Sequence, residues 1–509
     1  MPIDETRYLT VAWEMWLSGN WLVPHLDGQP YSDKPPLLFW LITLAWSVTG
    51  PSALAARLIA LAAGAGSCLL TGLIARQLWP GLRGVGPWAT AALAATGLFS
   101  LFSSLVMFDG LLTLSVLLSV LGMLLVWRRG RAAWWALVAF GLGLGVLAKG
   151  PVALLHLLAV GGVASFWIAG GAPGGRRRWY LGLAAAVAGG AVLALAWAVP
   201  AAIAGGPEYR HMILWGQTAG RVEHAFAHAR PWWFFLALLP VVVFPWGWWP
   251  PLWRWARRRG GSGDGPALRF CVLWFVVLFV AFSAISGKQI HYLLPVLPSL
   301  ALIAARGIVD DGIAARRRDL VVPVLPMLAV GMIAPLYEIA DALGLSAHLS
   351  HAAAVLDRLR LDWPSWGLLV VLAALVLGVA PRAKAQAAGL AAAWAATLVA
   401  VHLVAAPAFS IYDWSRLVPA IRAHQACGVA WVGDYAGEIG FVARVTRPVE
   451  SLPIDQLAGW LAAHPGGIAI AKRFDPSTGT DLPAPDRILD YRGRRLALWI
   501  APGAAAACP

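Results

Sequence analysis

Charge is what this chain has least of. Only 13% of its 509 residues are Asp, Glu, Lys or Arg, while 60% are hydrophobic and the mean hydropathy is +0.70. A soluble domain carries roughly a quarter charged residues, so a purely soluble fold is excluded. Cysteine is scarce too. Cys68, Cys271, Cys427 and Cys508 form no metal-ligand spacing. Cys68 and Cys271 lie in apolar runs and read as small core residues, whereas Cys427 and Cys508 can pair only if both face an oxidising compartment. Residues 1–9 are polar, so no cleavable signal peptide is visible. No Gly-rich nucleotide loop is present either. The GLGLG stretch at 141–145 lies inside an apolar run and marks close helix packing.

What the chain has in abundance is apolar length. Runs long enough to cross a bilayer recur from about residue 53 to 407, and in lipid such runs must be helices. We read twelve spans near 53–79, 87–107, 109–127, 132–149, 151–169, 179–204, 232–253, 267–285, 289–305, 320–340, 365–380 and 386–408. The 29 Trp suit the membrane interface. Basic residues exceed acidic ones by 14, but they cluster in short connections rather than in a nucleic-acid patch. Arg76/Arg83, Arg128-Arg129-Arg131, Arg176–Arg178, Arg257–Arg259, Arg316–Arg318 and Arg382/Lys384 follow every second span. The positive-inside rule makes those connections cytoplasmic. Residues 1–50, the loops near 103–110, 205–231, 286–291 and 341–364, and the C-terminal tail then lie outside.

Residues 1–36 form a polar segment ahead of the first span, and the apolar run 37–49 is too short to span easily, so it is expected to lie in the interface. From about residue 410 the composition becomes that of a soluble domain. Helices are predicted at 415–426 and 454–463, and strands at 429–432, 468–471 and 496–500. The expected organisation is therefore an outer loop with an interfacial helix at 1–50, a transmembrane helical domain at 51–408 and a small outer α/β domain at 409–509.

The scarce charges are unevenly placed. Only five of the 39 basic residues are lysines, and three of them, Lys34, Lys149 and Lys288, sit at outer-face helix ends against the positive-inside trend. Any single one is explained by snorkelling, but three suggest a shared anionic ligand. Asp109 is the sole acid between Asp33 and Glu208 and stands where two apolar runs meet. At that depth an ionisable group is a functional candidate, and a helix N-cap is its plainer role. Asp4-Glu5 precede an amphipathic stretch at 9–17. Carboxylates that orient or deprotonate an acceptor, beside cations that neutralise a departing phosphate, suit transfer on a lipid phosphate.

Several stretches then share a pattern. These are Asp4-Glu5-Thr6-Arg7-Tyr8, Gly19-Asn20-Trp21-Leu22-Val23-Pro24 and Tyr31-Ser32-Asp33-Lys34-Pro35-Pro36-Leu37. Phe108-Asp109, Ala148-Lys149-Gly150, the stretch from Gly220-Arg221 to Trp233, and residues 286–295 follow in order. The set resembles the bacterial undecaprenyl-phosphate aminoarabinose transferase family, related to protein O-mannosyltransferases and other membrane glycosyltransferases of the GT-C fold. The resemblance implies a bacterial inner-membrane, multi-pass enzyme working at the periplasmic face. It would move a sugar, with inversion, from a polyprenyl phosphate carrier to a lipid A-like glycolipid or another envelope acceptor. It also implies catalytic roles for Asp4, Glu5 and Asp109, and phosphate or donor contacts from Lys34, Arg7, Tyr8, Tyr31, Lys149, Arg221, Lys288 and His291.

No cofactor beyond the lipid-linked donor, no metal and no nucleic acid is expected, and the protein is expected to act as a monomer within the bilayer. His224, His228 and His291 in outer loops are as consistent with interfacial residues as with ligands. The family also carries a first spanning helix ahead of the acidic pair, about thirteen in all. Here Asp4 is the fourth residue, so a late-assigned start is expected. The alternative readings are a polytopic transporter or lipid flippase, whose path the intramembrane acid and outer lysines would line, and an inactive scaffold subunit.

Overall fold

The structure is a computed structural model that describes residues 3–168, 171–172, 174–220, 229–258, 265–343, 363–405, 413–472, 474, 482–491 and 494–503. The chain opens not on a loop but on a helix, α1 (Ile3–Ser18). Leu9, Val11, Ala12, Trp13 and Met15 are all buried, so the segment is enclosed on several sides. The acidic pair stands within the first turn rather than ahead of it, where the helix dipole favours negative charge. A tight hairpin follows, β1 (His25–Leu26) against β2 (Gln29–Pro30), with Asp27 and Gly28 both at positive φ. Glu14 of α1 closes it by accepting from the Asp27 and Gly28 amides at 2.7 and 3.0 Å.

Helix α2 (Leu37–Thr49) begins directly after Pro35-Pro36 and covers 13 residues. It buries Leu38, Phe39, Ile42 and Trp46 while leaving Leu44 and Val48 exposed, a half-embedded arrangement in keeping with an interfacial helix. Helix α3 (Ala53–Leu78) is capped by Ser52, whose hydroxyl accepts from the Ala55 amide.

Six helices among the described residues are long and apolar enough to cross a membrane: Ala53–Leu78, Phe108–Arg129, Gly175–Ala204, Gly265–Ala284, Ile290–Ile308 and Ala383–Val404. Each coincides with one of the twelve expected spans. The other six expected spans are shorter or interrupted. Residues 87–107 divide into Val85–Ala94 and Gly97–Phe102, and 320–340 into Val321–Gly331 and Ile333–Ala342. Residues 232–253 give Phe234–Val242 and then a 3-10 turn, where Pro245, Pro250 and Pro251 withdraw backbone donors. The chain is a multi-pass helical membrane protein.

Phe108–Arg129 runs through the middle of the bundle, packed against α3 and Trp134–Lys149. The approach is close. A Cβ on Gly141 would stand 2.5 Å from Ser119 Oγ, and one on Gly145 would stand 2.8 Å from Ala153 Cβ. Glycine at these positions is a packing requirement. Phe108–Arg129 carries the chain about 33 Å and Trp134–Lys149 returns it by about 24 Å, enough for the Lys149 side chain to reach Asp109.

The C-terminal unit is an α/β sheet in the order β4–β3–β5–β7–β6. Its strands are β3 (Val429–Val432), β4 (Glu450–Leu452), β5 (Ile468–Ala471), β6 (Arg487–Tyr491) and β7 (Arg494–Ile500). β3 is parallel to β4 and β5, and β7 is antiparallel to β5 and β6. Alternation divides the strands between two cores, one around Trp414, Ile421 and Trp431, the other around Leu457, Trp460 and Trp499. Cys427 is disulfide-bonded, and Cys508 lies outside the described residues. Cys68 and Cys271 are free and buried.

Candidate active site

The bundle brings one acid and one lysine together at one of its ends. Asp109 stands in the first turn of Phe108–Arg129 and is 3% exposed. It is not the cap expected from the sequence, since Met107 occupies that position without a side-chain bond. Lys149, at the end of the returning helix, places Nζ 2.5 Å from Asp109 Oδ1. The ammonium also lies 4.4 Å from the centre of the Tyr292 ring. The second carboxylate oxygen is only 4.0 Å from His291 Nε2, beyond hydrogen-bond range. Asp109 is therefore half satisfied: one oxygen is paired, the other available.

Helix α1 closes over this pair. Tyr8 packs edge-on to Phe108 with ring centres 4.8 Å apart, and both Tyr8 and Tyr31 rest on Phe39 of α2. Arg7 Nη1 is 3.9 Å from Asp4 Oδ1. Burial, and then the charge of Asp4, push the Tyr8 phenol well above its ordinary range. Burial and then Asp33 do the same to Tyr31. Both phenols therefore remain neutral and keep a proton to donate. The Tyr31 hydroxyl is buried with the Arg7 guanidinium close by; a guanidinium only donates, so the phenol proton is left for a ligand. Asp4 and Lys34 both lie within electrostatic reach of the His291 ring. Asp109, Lys149 and His291 thus meet directly, and Asp4, Arg7, Tyr8, Tyr31 and Lys34 lie within electrostatic range of one another or of that group.

Two expected residues are placed otherwise. Glu5 points away from the group. It is 1% exposed and accepts two bonds from Arg57, at 2.7 Å from Nε and 3.2 Å from Nη2. Both its oxygens are committed to a fork on α3. Lys288 is 3% exposed and gives its ammonium to the backbone carbonyls of Arg230, at 3.0 Å, and Ile285. Arg221 lies outside the described residues, as do His224 and His228. Sequence reasoning missed Arg57 and Tyr292. Arg57 had a signal, because it is an arginine near the outer end of an apolar span, against the positive-inside trend. Tyr292 had none apart from its place beside His291. Among the described residues no three His, Cys, Asp or Glu side chains gather in metal-binding geometry.

Comparison with known proteins places this arrangement. Residues 33–204 match the dolichyl-phosphate-mannose-protein mannosyltransferase family. Two proteins named undecaprenyl phosphate-alpha-4-amino-4-deoxy-L-arabinose arabinosyl transferase align over 65% of this chain. That of Pseudomonas paraeruginosa is 32% identical over 350 residues, and that of Pseudomonas aeruginosa 33% over 351. The chain spans 60% of the length of each. The crystal structure of ArnT from Cupriavidus metallidurans in the apo state superposes with a TM-score of 0.73 at 21% identity, covering 99% of this chain and 94% of that one. The same protein bound to undecaprenyl phosphate gives 0.71 over 97% and 93%. In fold the chain is ArnT-like, and in sequence it is similar to the undecaprenyl-phosphate aminoarabinose transferases.

Proposed function

We propose that this protein is a membrane glycosyltransferase that moves a sugar from a polyprenyl phosphate carrier to a lipid A-like glycolipid or another envelope acceptor at the periplasmic face, with inversion. The observation that carries the reading is the half-satisfied Asp109 beside Lys149, facing Asp4, Arg7, Tyr8 and Lys34. The sequence relatives named as arabinosyl transferases support the reaction class, and the structural neighbour bound to undecaprenyl phosphate supports the carrier. Outward orientation is supported by the arginine clusters on the opposite connections and by the disulfide at Cys427, which suits an oxidising compartment.

The chemistry is a single displacement. The acceptor oxygen bonds to the anomeric carbon as the carbon–oxygen bond to the carrier phosphate breaks, and that phosphate departs with the electron pair. Lys34 and Arg7 neutralise its growing charge, while the neutral Tyr8 and Tyr31 phenols donate to its oxygens. A phosphate acceptor arrives ionised and needs only to be positioned by Asp4. A hydroxyl acceptor gives its proton to Asp4 as the new bond forms. Asp109 fixes Lys149 and offers its second oxygen to the sugar.

The test uses purified protein in lipid with labelled undecaprenyl-phosphate sugar and lipid A. The wild type should transfer the label, Asp4→Ala should bind the carrier without turnover, and Lys34→Ala should lose carrier binding. Undiminished transfer by both variants would sink the proposal.

A further inference from the structure

The C-terminal α/β domain holds the helix that carries half of this site. Three hydrogen bonds join α1 to the loop 434–440 and the short helix Gly440–Ala443 that follows it. Arg7 Nε donates to the Ala436 carbonyl at 3.3 Å, and Thr10 Oγ1 donates to the Gly437 carbonyl at 2.9 Å. The same Thr10 oxygen accepts from the Phe441 amide at 3.0 Å. One turn further on, Trp13 Nε1 donates to the Val445 carbonyl at 2.7 Å. Residues 7, 10 and 13 lie along one side of the helix, beside the side that carries Asp4 and Tyr8.

The fit is close on both partners. Gly437 has φ +82°, and a Cβ there would stand 3.1 Å from Arg7 Cα. A Cβ on Gly440 would stand 2.4 Å from Thr10 Cγ2. The loop is itself braced. Glu438 is 1% exposed and accepts from the Ala436 amide at 2.8 Å and from Lys472 at 2.7 Å. Tyr435 Oη accepts from the Gly440 amide at 2.9 Å. A partly buried ion pair thus braces Ala436, the residue whose carbonyl receives Arg7, and the other end of Arg7 approaches Asp4.

We infer that the loop 434–440 is a positioning element for sugar transfer, with Thr10 as its contact on α1. It sets the rotation of α1 so that Asp4, Arg7 and Tyr8 face the Asp109–Lys149 pair. The inference rests on the proposed function. It gives the soluble domain a part in the reaction that neither its fold nor its distance in sequence, more than 420 residues from α1, would suggest.

Thr10→Val keeps the shape and removes both hydroxyl bonds. In the full-length protein, kcat should fall about tenfold, the equivalent of one well-placed hydrogen bond lost with its partners left unpaired. KM for the polyprenyl-phosphate sugar should move less than about twofold. Amides of α1 should exchange with deuterium faster, and Thr10→Ser should restore both rate and protection. Gly440→Ala pushes α1 from the domain side without altering it and should give the same pattern; it carries the test if Thr10→Val does not accumulate. Unchanged kcat in both variants overturns the inference, whether or not α1 exchange rises. So does a rise in KM that accounts for the whole loss. A wild type that transfers no sugar overturns the proposed function instead, and α1 exchange in the two variants then still decides whether the loop holds the helix.

Discussion

Two buried carboxylates at opposite ends of the helical bundle differ in how completely they are used. Asp319, near the arginine-rich connections, is 3% exposed. It takes Arg254 on both oxygens and also accepts from the Arg316 amide at 2.6 Å. Nearby, Asp310 accepts from Trp255 Nε1 and Arg306, and Gln386 bridges Trp249 to the Arg316 carbonyl, while Arg254 Nε, alone of that guanidinium, is buried without a partner among the described residues. Asp109 is just as buried, but it has one hydrogen-bonded partner and one oxygen left over, and the charges around it come from three separate parts of the chain. A carboxylate with both oxygens taken holds helices in place. An unsaturated one, ringed by neutral phenols and a second carboxylate, keeps bonding capacity for something that binds and leaves.

The strongest test of this contrast is Asp109→Ala. It should cost about 3–5 kcal/mol by stranding Lys149 as a buried charge, and transfer should fall at least about a thousandfold. The exchanged pair Asp109→Lys with Lys149→Asp should regain much of the thermal stability, read from melting in detergent, without regaining transfer. Transfer restored by the swap would make the pair merely structural.

Asp319→Ala is the matching change at the other end. A similar stability loss of about 3–5 kcal/mol is expected, while transfer per folded molecule should stay within about twofold of the wild type. A selective loss of turnover would erase the distinction between the two ends.

The acidic pair on α1 repeats the comparison within one turn. Asp4→Asn should lower kcat about a hundredfold with melting unchanged, because Asp4 is exposed and loosely paired. Glu5→Gln should lower melting by about 1–3 kcal/mol through its fork with Arg57, with turnover per folded molecule preserved. Equal catalytic losses would return Glu5 to the reacting centre.

The smallest effect concerns the seam between hairpin and C-terminal domain, where Asp27 accepts from the Val449 amide at 2.5 Å. Burial, against the opposing pull of that amide, raises its carboxyl from 3.8 to about 6. A carboxyl raised by folding contributes stability that is full below about pH 4 and is lost as pH rises through about 6. Protection around residue 449, after correction for the intrinsic pH dependence of amide exchange, should therefore be greater at pH 5 than at pH 7. Asp27→Asn should flatten that dependence.

Much of the site was legible in the residues. Three lysines against the charge asymmetry and a lone intramembrane acid directed attention to the outer end, and Lys149 and Asp109 do meet there. The pattern could not separate Lys34 and Lys149 from Lys288, whose ammonium is taken up by carbonyls of its own neighbourhood. It could not separate Asp4 from Glu5 either. Adjacent helical residues differ by about 100° in direction, and which side faces Arg57 depends on where α3 lies. By sequence, the segment 1–36 reads as a loop because it lies ahead of the first apolar run long enough to span. Its burial comes from α2 and from a domain more than 400 residues away.

By itself, then, the sequence determined a multi-pass helical protein with a soluble α/β appendage, because apolar length and charge asymmetry are properties of local stretches that the bilayer reads directly. The tertiary structure alone decided which acids are free, which lysine is paired, and that the appendage grips α1. Those outcomes depend on the directions in which distant side chains meet, and no local stretch encodes a direction.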